Sequence, residues 1–457
     1  MIAALARDHR ATILVTALGS AFGVVLLGTV SLLNQISRVT HPGLSTSDDG
    51  TAILQMMAAV FLTLSIYVGA IVTANTFSTI IAGRTSRIAL MRLLGDTARS
   101  QRRAVVRESL AVGVIGSALG AVSGLVLEVA FIRILVFRDL APEATYSYVD
   151  AAMLFPVVAV VVATVLAGRV GSRNVLRVSP MEATSSAQEA SPEETTSRRG
   201  RHVVALVAMV AGVALLALGI VVGLVSPGGV LIGLVGGILS FSGLVAAADI
   251  VMPACLRAAG RLLGRSAPAR LAAANAVRHP DRSARSTIGM VVGVTLVTTF
   301  AVTLTSLEKS IIAAGSSPDS FTPIIVVFTC LTGFSAIIAA VGMVNTLSLS
   351  VHQRRRELGL LRTLGFTRRQ VRRMILAESA QMAITSVGVG LLLGTFYGWC
   401  GAQATLGSVT GSIVAPSVPL PLILGLAVGA FALAALASLA PSRRATRVSP
   451  VEALRVA

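Results

Sequence analysis

Residues Arg354 to Met374 read RRRELGLLRTLGFTRRQVRRM. Eight of these residues are arginine, yet the chain on both sides is apolar over the length of a membrane crossing. A looser version, RTSRIALMRLLGDTARSQRRAVV, runs from Arg84 to Val106 and is flanked in the same way. Two basic segments, each set between oily ones, raise two questions: what surrounds them, and why there are two.

The surroundings are membrane-like. Of the 457 residues 54% are hydrophobic and 13% charged, and the mean hydropathy is +0.83. A bilayer core about 30 Å thick takes about 20 apolar residues per helix. Ten segments meet that length, near 11–35, 52–82, 109–136, 151–170, 203–225, 229–254, 286–307, 322–350, 377–400 and 418–440. The first resembles a signal peptide, but its apolar run is too long for a typical h-region and reads as an uncleaved span. Only the tetrapeptide SPGG, Ser226–Gly229, separates the fifth span from the sixth.

The net charge of +18 comes almost entirely from arginine, with Lys309 the single lysine. Charge of this size often marks nucleic-acid binding. Here it is confined to segments between apolar runs, which argues against that class. The arginines crowd 83–107, 169–202, 257–285, 351–376 and 441–457, while the alternate loops hold few or none. The positive-inside rule then places both termini in the cytoplasm. The outer loops are too short for a folded extracellular domain. Cys255, Cys330 and Cys400 lie in or beside apolar runs, with no disulfide or zinc spacing.

The second question has its answer in a repeat. Displaced by 270 positions, Asn75-Thr76 meets Asn345-Thr346, Arg84 meets Arg354, and Arg92 meets Arg362. Leu94-Gly95 meets Leu364-Gly365, Glu108-Ser109 meets Glu378-Ser379, and Gly120 and Gly124 meet Gly390 and Gly394. RVSPMEA at Arg177 meets RVSPVEA at Arg447. Spans one to four and seven to ten thus form two copies in the same orientation, a parallel repeat. The expected divisions are a first repeat over 1–183, a flexible cytoplasmic linker over 184–202, a central two-helix insertion over 203–256, and a second repeat over 257–457. The predicted fold class is all-α polytopic membrane protein: ten transmembrane helices, two parallel four-helix repeats and a central pair.

The block Arg354, Glu357, Leu361-Arg362, Leu364-Gly365 and Glu378 resembles the signature of FtsX-like permeases, the superfamily of MacB-, LolC/LolE- and BceB-type ABC transporter permeases. The closing RRATRVSPVEALR and the stretch LAAANAVRHPDRSARSTIGMVVGV, Leu271–Val294, are also similar to that family. The resemblance covers both four-helix units. It departs from the family in the outer segments, which lack a large extracellular domain.

The resemblance implies that the basic stretches are short amphipathic coupling helices docking on separate ABC ATPase subunits, two copies per permease chain. The ATPase-coupling residues would be Arg84, Arg87, Arg92, Gly95, Glu108, Arg354, Glu357, Arg362, Gly365 and Glu378. Arginine suits such docking, because its guanidinium stays charged and grips carboxylates with two hydrogen bonds. The plainer reading is a basic juxtamembrane helix that orients the chain and touches anionic lipid. Glu357 aligns with Arg87, so the two docking sites are chemically unequal. For Glu108 and Glu378 the plainer role is to complement a helix N-terminus.

Residues of a substrate path or of helix contacts are Asn75, Asn345, Glu128, Gly120, Gly124, Gly390 and Gly394. The asparagines read as interhelical hydrogen-bonding groups. The glycine stripes read as surfaces through which the two copies pack. Glu128, with Arg133 nearby, is a functional candidate because ionisable groups inside a bilayer are rare, although the two could simply pair. Asp249 is the corresponding candidate near the inner end of the sixth span.

No GxxxxGK[ST] phosphate loop is present, because the sole lysine follows Glu308. No metal is expected, the five histidines being dispersed, and no catalytic constellation stands out. The chain itself needs no cofactor, and ATP and Mg would belong to the partner. These readings converge on the permease subunit of an ATP-driven exporter in a bacterial cytoplasmic membrane, acting on an amphipathic or lipophilic substrate such as a drug, an antimicrobial peptide or a lipid-linked molecule. The alternative is an FtsX-like mechanotransmitter that pulls on an extracellular partner such as a cell-wall hydrolase. A secondary transporter is disfavoured by the scarcity of buried carboxylates.

Overall fold

The computed structural model describes residues 10–40, 48–83, 93–137, 146–172, 192–226, 228–262, 280–313, 363–410 and 415–447, with scattered positions in 88–91, 271–274 and 329–344. The described residues are overwhelmingly helical and contain no strand. The helices are α1 Arg10–Thr40, α2 Asp48–Gly83, α3 Ala98–Phe137, α4 Leu154–Gly171, α5 Pro192–Gly223, α6 Gly229–Ala246, α7 Ala248–Leu262, α8 Pro280–Ala313, α9 Arg368–Thr410 and α10 Leu420–Arg447. Among the described residues eight helices are long and apolar enough to cross a membrane. They correspond to the expected first to seventh and ninth spans. Most of the eighth lies outside the described residues. The tenth falls within α10, whose apolar portion is the shorter Ile423–Leu436.

The chain forms two compact units, Met1–Gln188 with Ile311–Ile338, and Glu189–Ser310 with Ala339–Ala457. In the first unit α1 is the central helix, touching α2, α3 and α4. Its seam with α3 is made by small residues. A Cβ added to Gly120 would lie 2.7 Å from Cβ of Ser20 and overlap the carbonyl oxygen of Ala17, and one on Gly124 would lie 3.0 Å from Cβ of Val24. Ser20 Oγ donates to the carbonyl of Ser117 at 3.0 Å across the same seam. In a bilayer, where lipid is as apolar as leucine, close backbone approach of this kind supplies the packing energy.

The second unit builds an analogous seam between α8 and α9. A Cβ on Gly390 would lie 2.6 Å from Cγ1 of Val294, and one on Gly394 would lie 2.8 Å from the carbonyl oxygen of Thr295. Thr303 Oγ1 donates to the carbonyl of Gly398 at 3.1 Å. Both glycine stripes therefore meet a helix of their own unit, whereas the sequence suggested packing between the two copies. The far ends are also tied alike. Ser147 N–H donates to Gln35 Oε1 at 3.0 Å, and Ser417 N–H donates to Ser306 Oγ at 3.2 Å. Ser147 and Ser417 stand 270 positions apart.

The central pair belongs to the second unit. Glycines at 212, 219, 229, 236 and 243 let α5 and α6 touch through their backbones. The pair packs on α9, where Ser240 Oγ lies 2.9 Å from Tyr397 Oη. Tyr397 thus serves an internal contact. Leu256 of α7 joins Met290, Val294, Met382, Ala383, Ala430 and Ala434 in one core. Beside it the fully buried Gln381 donates to the carbonyl of Leu256 at 2.6 Å. Gln381→Ala removes this bond and leaves a cavity, so we expect a loss of about 2 kcal/mol. Denaturant unfolding in mixed micelles measures it, and an unchanged midpoint would show that α7 is held against α9 without Gln381.

Two local expectations are corrected. The stretch read as a flexible linker over 184–202 is helical from Pro192. Proline at the start of a helix gives up only a donor that would be unpaired. The sixth span, expected to run unbroken over 229–254, is interrupted at Ala247. Pro253 sits one turn into the following helix and leaves the carbonyl of Asp249 without its usual donor. Asp249 is tied to Arg201 and to His202, whose Nε2 lies 3.1 Å from its Oδ2. It is a structural anchor between α5 and α7 rather than an isolated intramembrane acid.

Candidate functional site

The repeated basic stretches converge on one local structure, a glycine turn that reverses the chain into a long helix. Gly95 has φ +98° and Gly365 has φ +93°. These left-handed values favour a residue without Cβ. In the first copy Asp96 N–H donates to the carbonyl of Met91 at 3.0 Å. That six-to-one bond is the Schellman closure of a helix end with glycine at C′. The next helix then starts at once. Thr97 caps α3, its Oγ1 accepting from Ser100 N–H at 3.1 Å.

The second copy is built more tightly. Thr367 Oγ1 accepts from Gln370 N–H at 3.3 Å, and Gln370 Oε1 accepts from Thr367 N–H at 2.9 Å, a reciprocal capping box. Phe366 packs with Val371, Met374 and Ile375, stapling the entry to α9. In the first copy Asp96 stands where Phe366 does, and its carboxylate accepts from Gln101 Nε2 instead. The approach to the turn is held by Ile88, which is buried with Ile81 and packs with Val105.

These turns leave leucines uncovered. Leu90, Leu93 and Leu94 are 52%, 54% and 75% exposed, and Leu364 is 70% exposed. Residues at i, i+3 and i+4 share one helix face. Arg99, Arg103, Arg368, Arg369, Arg372 and Arg373 are exposed at the starts of the helices that follow. The arrangement is an apolar knob with a cationic collar, a surface suited to a partner that offers a greasy groove rimmed by carboxylates. The sequence carried the leucines in plain view, but periodicity alone did not distinguish the buried Ile88 from its exposed neighbours.

The other anticipated residues fall as follows. Arg84, Arg87, Arg92, Asn345, Arg354, Glu357 and Arg362 lie outside the described residues. Glu108 and Glu378 do not stand at helix starts. Their helices begin at Ala98 and Arg368, and the caps are Thr97 and Thr367. A helix dipole acts within its first turn, so the capping role is excluded for both acids. Glu108 is half-buried and Glu378 is buried. Asn75 is half-buried on α2, in the turn whose Ala74 carbonyl, Phe77 and Ser78 abut Gly171 of α4.

Glu128 is 2% exposed, with its carboxyl against Gly28 of α1. Arg133 is exposed, and Glu128 forms no ion pair among the described residues, which answers the suggestion that the two simply neutralise each other.

A family model matches the same regions. The family model described as FtsX-like permease C-terminal matches residues 59–180 and again 329–450. The two matches begin at positions separated by the displacement that superposes the sequence on itself. The chain is 28% identical over 132 residues to the uncharacterised ABC transporter permease YknZ of Bacillus subtilis, covering 27% of this chain and 30% of that protein. It is 36% identical over 139 residues to the uncharacterised ABC transporter permease protein Rv0987 of Mycobacterium tuberculosis, covering 27% and 16%. It is 28% identical over 133 residues to the macrolide export ATP-binding/permease protein MacB of Rhodopirellula baltica, covering 27% and 17%. The matched portion is less than a third of each of these relatives.

Proposed function

The chain belongs to the FtsX-like permease family of ABC transporter permeases, and from that premise we propose that it is the membrane subunit of an ATP-driven exporter for amphipathic or lipophilic molecules. The observation that carries the reading is the duplicated glycine turn with its exposed leucines and arginines. One chain presents this surface twice, so it engages two copies of a separate ABC ATPase, which supply ATP and Mg. Nothing in this reading asks catalysis of the permease itself.

In this reading the chain lies in a bacterial cytoplasmic membrane with ten spans. Both termini and both turns face the cytoplasm, and along the chain the central pair stands between two parallel four-helix repeats. Closure of the ATPases pushes on the turns. The rigid caps at Thr97 and Thr367 pass that push into α3 and α9, which run unbroken for 40 and 43 residues. The glycine seams let each long helix move against its partner at low steric cost. The export role named for the Rhodopirellula relative supports outward movement of substrate, and apolar surfaces along α3 and α5 suit entry from the lipid phase.

The test is affinity purification of the permease from native membranes in mild detergent. The expected result is a co-purifying ABC ATPase at two copies per chain, with ATP hydrolysis in the eluate. Its absence, while the ATPase is expressed in the same cells, would remove the basis of the reading.

A further inference from the structure

We propose that Glu128 is the binding group for the cationic centre of a lipophilic organic cation. The proposal rests on the export reading and names the class of substrate. Glu128 lies in the part of α3 remote from the arginine-bearing turn. Its Oε2 is buried without a hydrogen-bond partner, and a Cβ on Gly28 would overlap its carboxyl. An ionisable group held this way inside a membrane unit costs stability, because nothing replaces the water it has lost.

Packing does not require it. The position 270 residues on is Gly398, which meets Val302 and the carbonyl of Thr299 on α8. The second unit closes its seam with glycine against valine, while the first uses glycine against glutamate. The same kind of helix contact is therefore reached without an acid, and the carboxyl of the first unit is surplus to packing.

The surroundings fit an organic cation better than a metal ion. One turn beyond Glu128 on the same face, Ile132 is buried with Leu32 and Tyr146, and Phe131 and Tyr148 pack on that cluster. A carboxylate next to aromatic rings and aliphatic walls meets the two needs of a lipophilic cation: a counter-charge and apolar or π surface. Among the described residues no group of acids, histidines or cysteines is placed to hold a metal ion.

In this structure the seam is shut, and the carboxyl occupies the space left by Gly28. When α1 and α3 part, that space and the carboxyl become available together. When they close again, the bound cation loses its room. Closure of one seam thus both withdraws the counter-charge and expels the ligand.

The test uses the full permease purified with its ATPase and titrated with radiolabelled tetraphenylphosphonium. Tetraphenylborate, an anion of matching bulk, is the control. Saturable binding of the cation and none of the anion is expected. Glu128→Gln should weaken cation binding about tenfold or more, as expected when one member of a desolvated charge pair is removed, while Glu128→Asp should retain most of it. A symmetrical gel-filtration peak and undiminished ATPase association show that the Gln variant is folded. Equal affinity in wild type and Glu128→Gln, or no saturable cation binding by wild type that carries its ATPase, overturns the site and leaves the ATPase-coupling reading standing. A permease that purifies without any ATPase overturns the export reading instead.

Discussion

Replacing Arg92 and Arg362 together with glutamate should strip the permease of its ATPase. Under the proposed coupling, each substitution puts a negative charge where the sequence carries a positive one. Losing one partner of a buried charged contact costs about 2–5 kcal/mol, and reversal adds repulsion. The two changes together should reduce the recovered ATPase about a hundredfold, and ATP-dependent transport should fall with it. Arg198→Glu with Arg199→Glu is the comparison, because it changes the net charge equally at positions outside both repeated stretches of sequence. Cysteine labelling of the termini checks that orientation is unaltered. If both pairs of changes leave the ATPase bound, or if both invert the chain, the arginines are orientation signals and the turns do not dock. The single variants rank the two sites. The second turn has the capping box, the phenylalanine staple and Glu357, so Arg362→Glu should cost more than Arg92→Glu.

The second large effect concerns the seams. Gly120→Leu forces a side chain into the carbonyl of Ala17 and into Ser20, and Gly394→Leu does the same against Thr295 and Thr298. Backbone atoms cannot rotate away, so each change should cost about 3 kcal/mol or more, at or above the upper end for overpacked interiors. Yield of monodisperse protein and thermal unfolding in detergent read the loss. Gly388→Leu on α9 is the control. Nothing lies within 4 Å of a Cβ there, and the position is exposed. If Gly120→Leu is as well tolerated as Gly388→Leu, the α1–α3 seam is not a close contact in the membrane.

Much of this protein is determined by its sequence alone. Membrane class follows from the length and apolarity of the runs, which are local properties. The turns at Gly95 and Gly365 follow from a glycine after the helical leucines and a threonine two residues later, also a local signal. The internal match at a 270-residue displacement required only comparison of the chain with itself, and it agrees with the two stretches that the FtsX-like family model matches.

Only the tertiary structure decided which faces meet. In a soluble helix the apolar stripe points inward, so pattern predicts packing. In a bilayer lipid and neighbouring helix are equally apolar, and hydrophobicity does not separate one face from another. The glycine stripes were visible as contact surfaces, but not that each is filled within its own unit. Glu128 was visible as an intramembrane acid, but not that Gly28, a hundred residues earlier, makes its room. Ser240 and Gln381 gave no sign of fastening α6 and α7 to α9, because a lone polar residue in an apolar run names no partner. Glu108 and Glu378 were assigned to helix starts because the apolar runs begin beside them. The helices begin ten residues earlier, where threonine and glycine, not hydrophobicity, set the boundary.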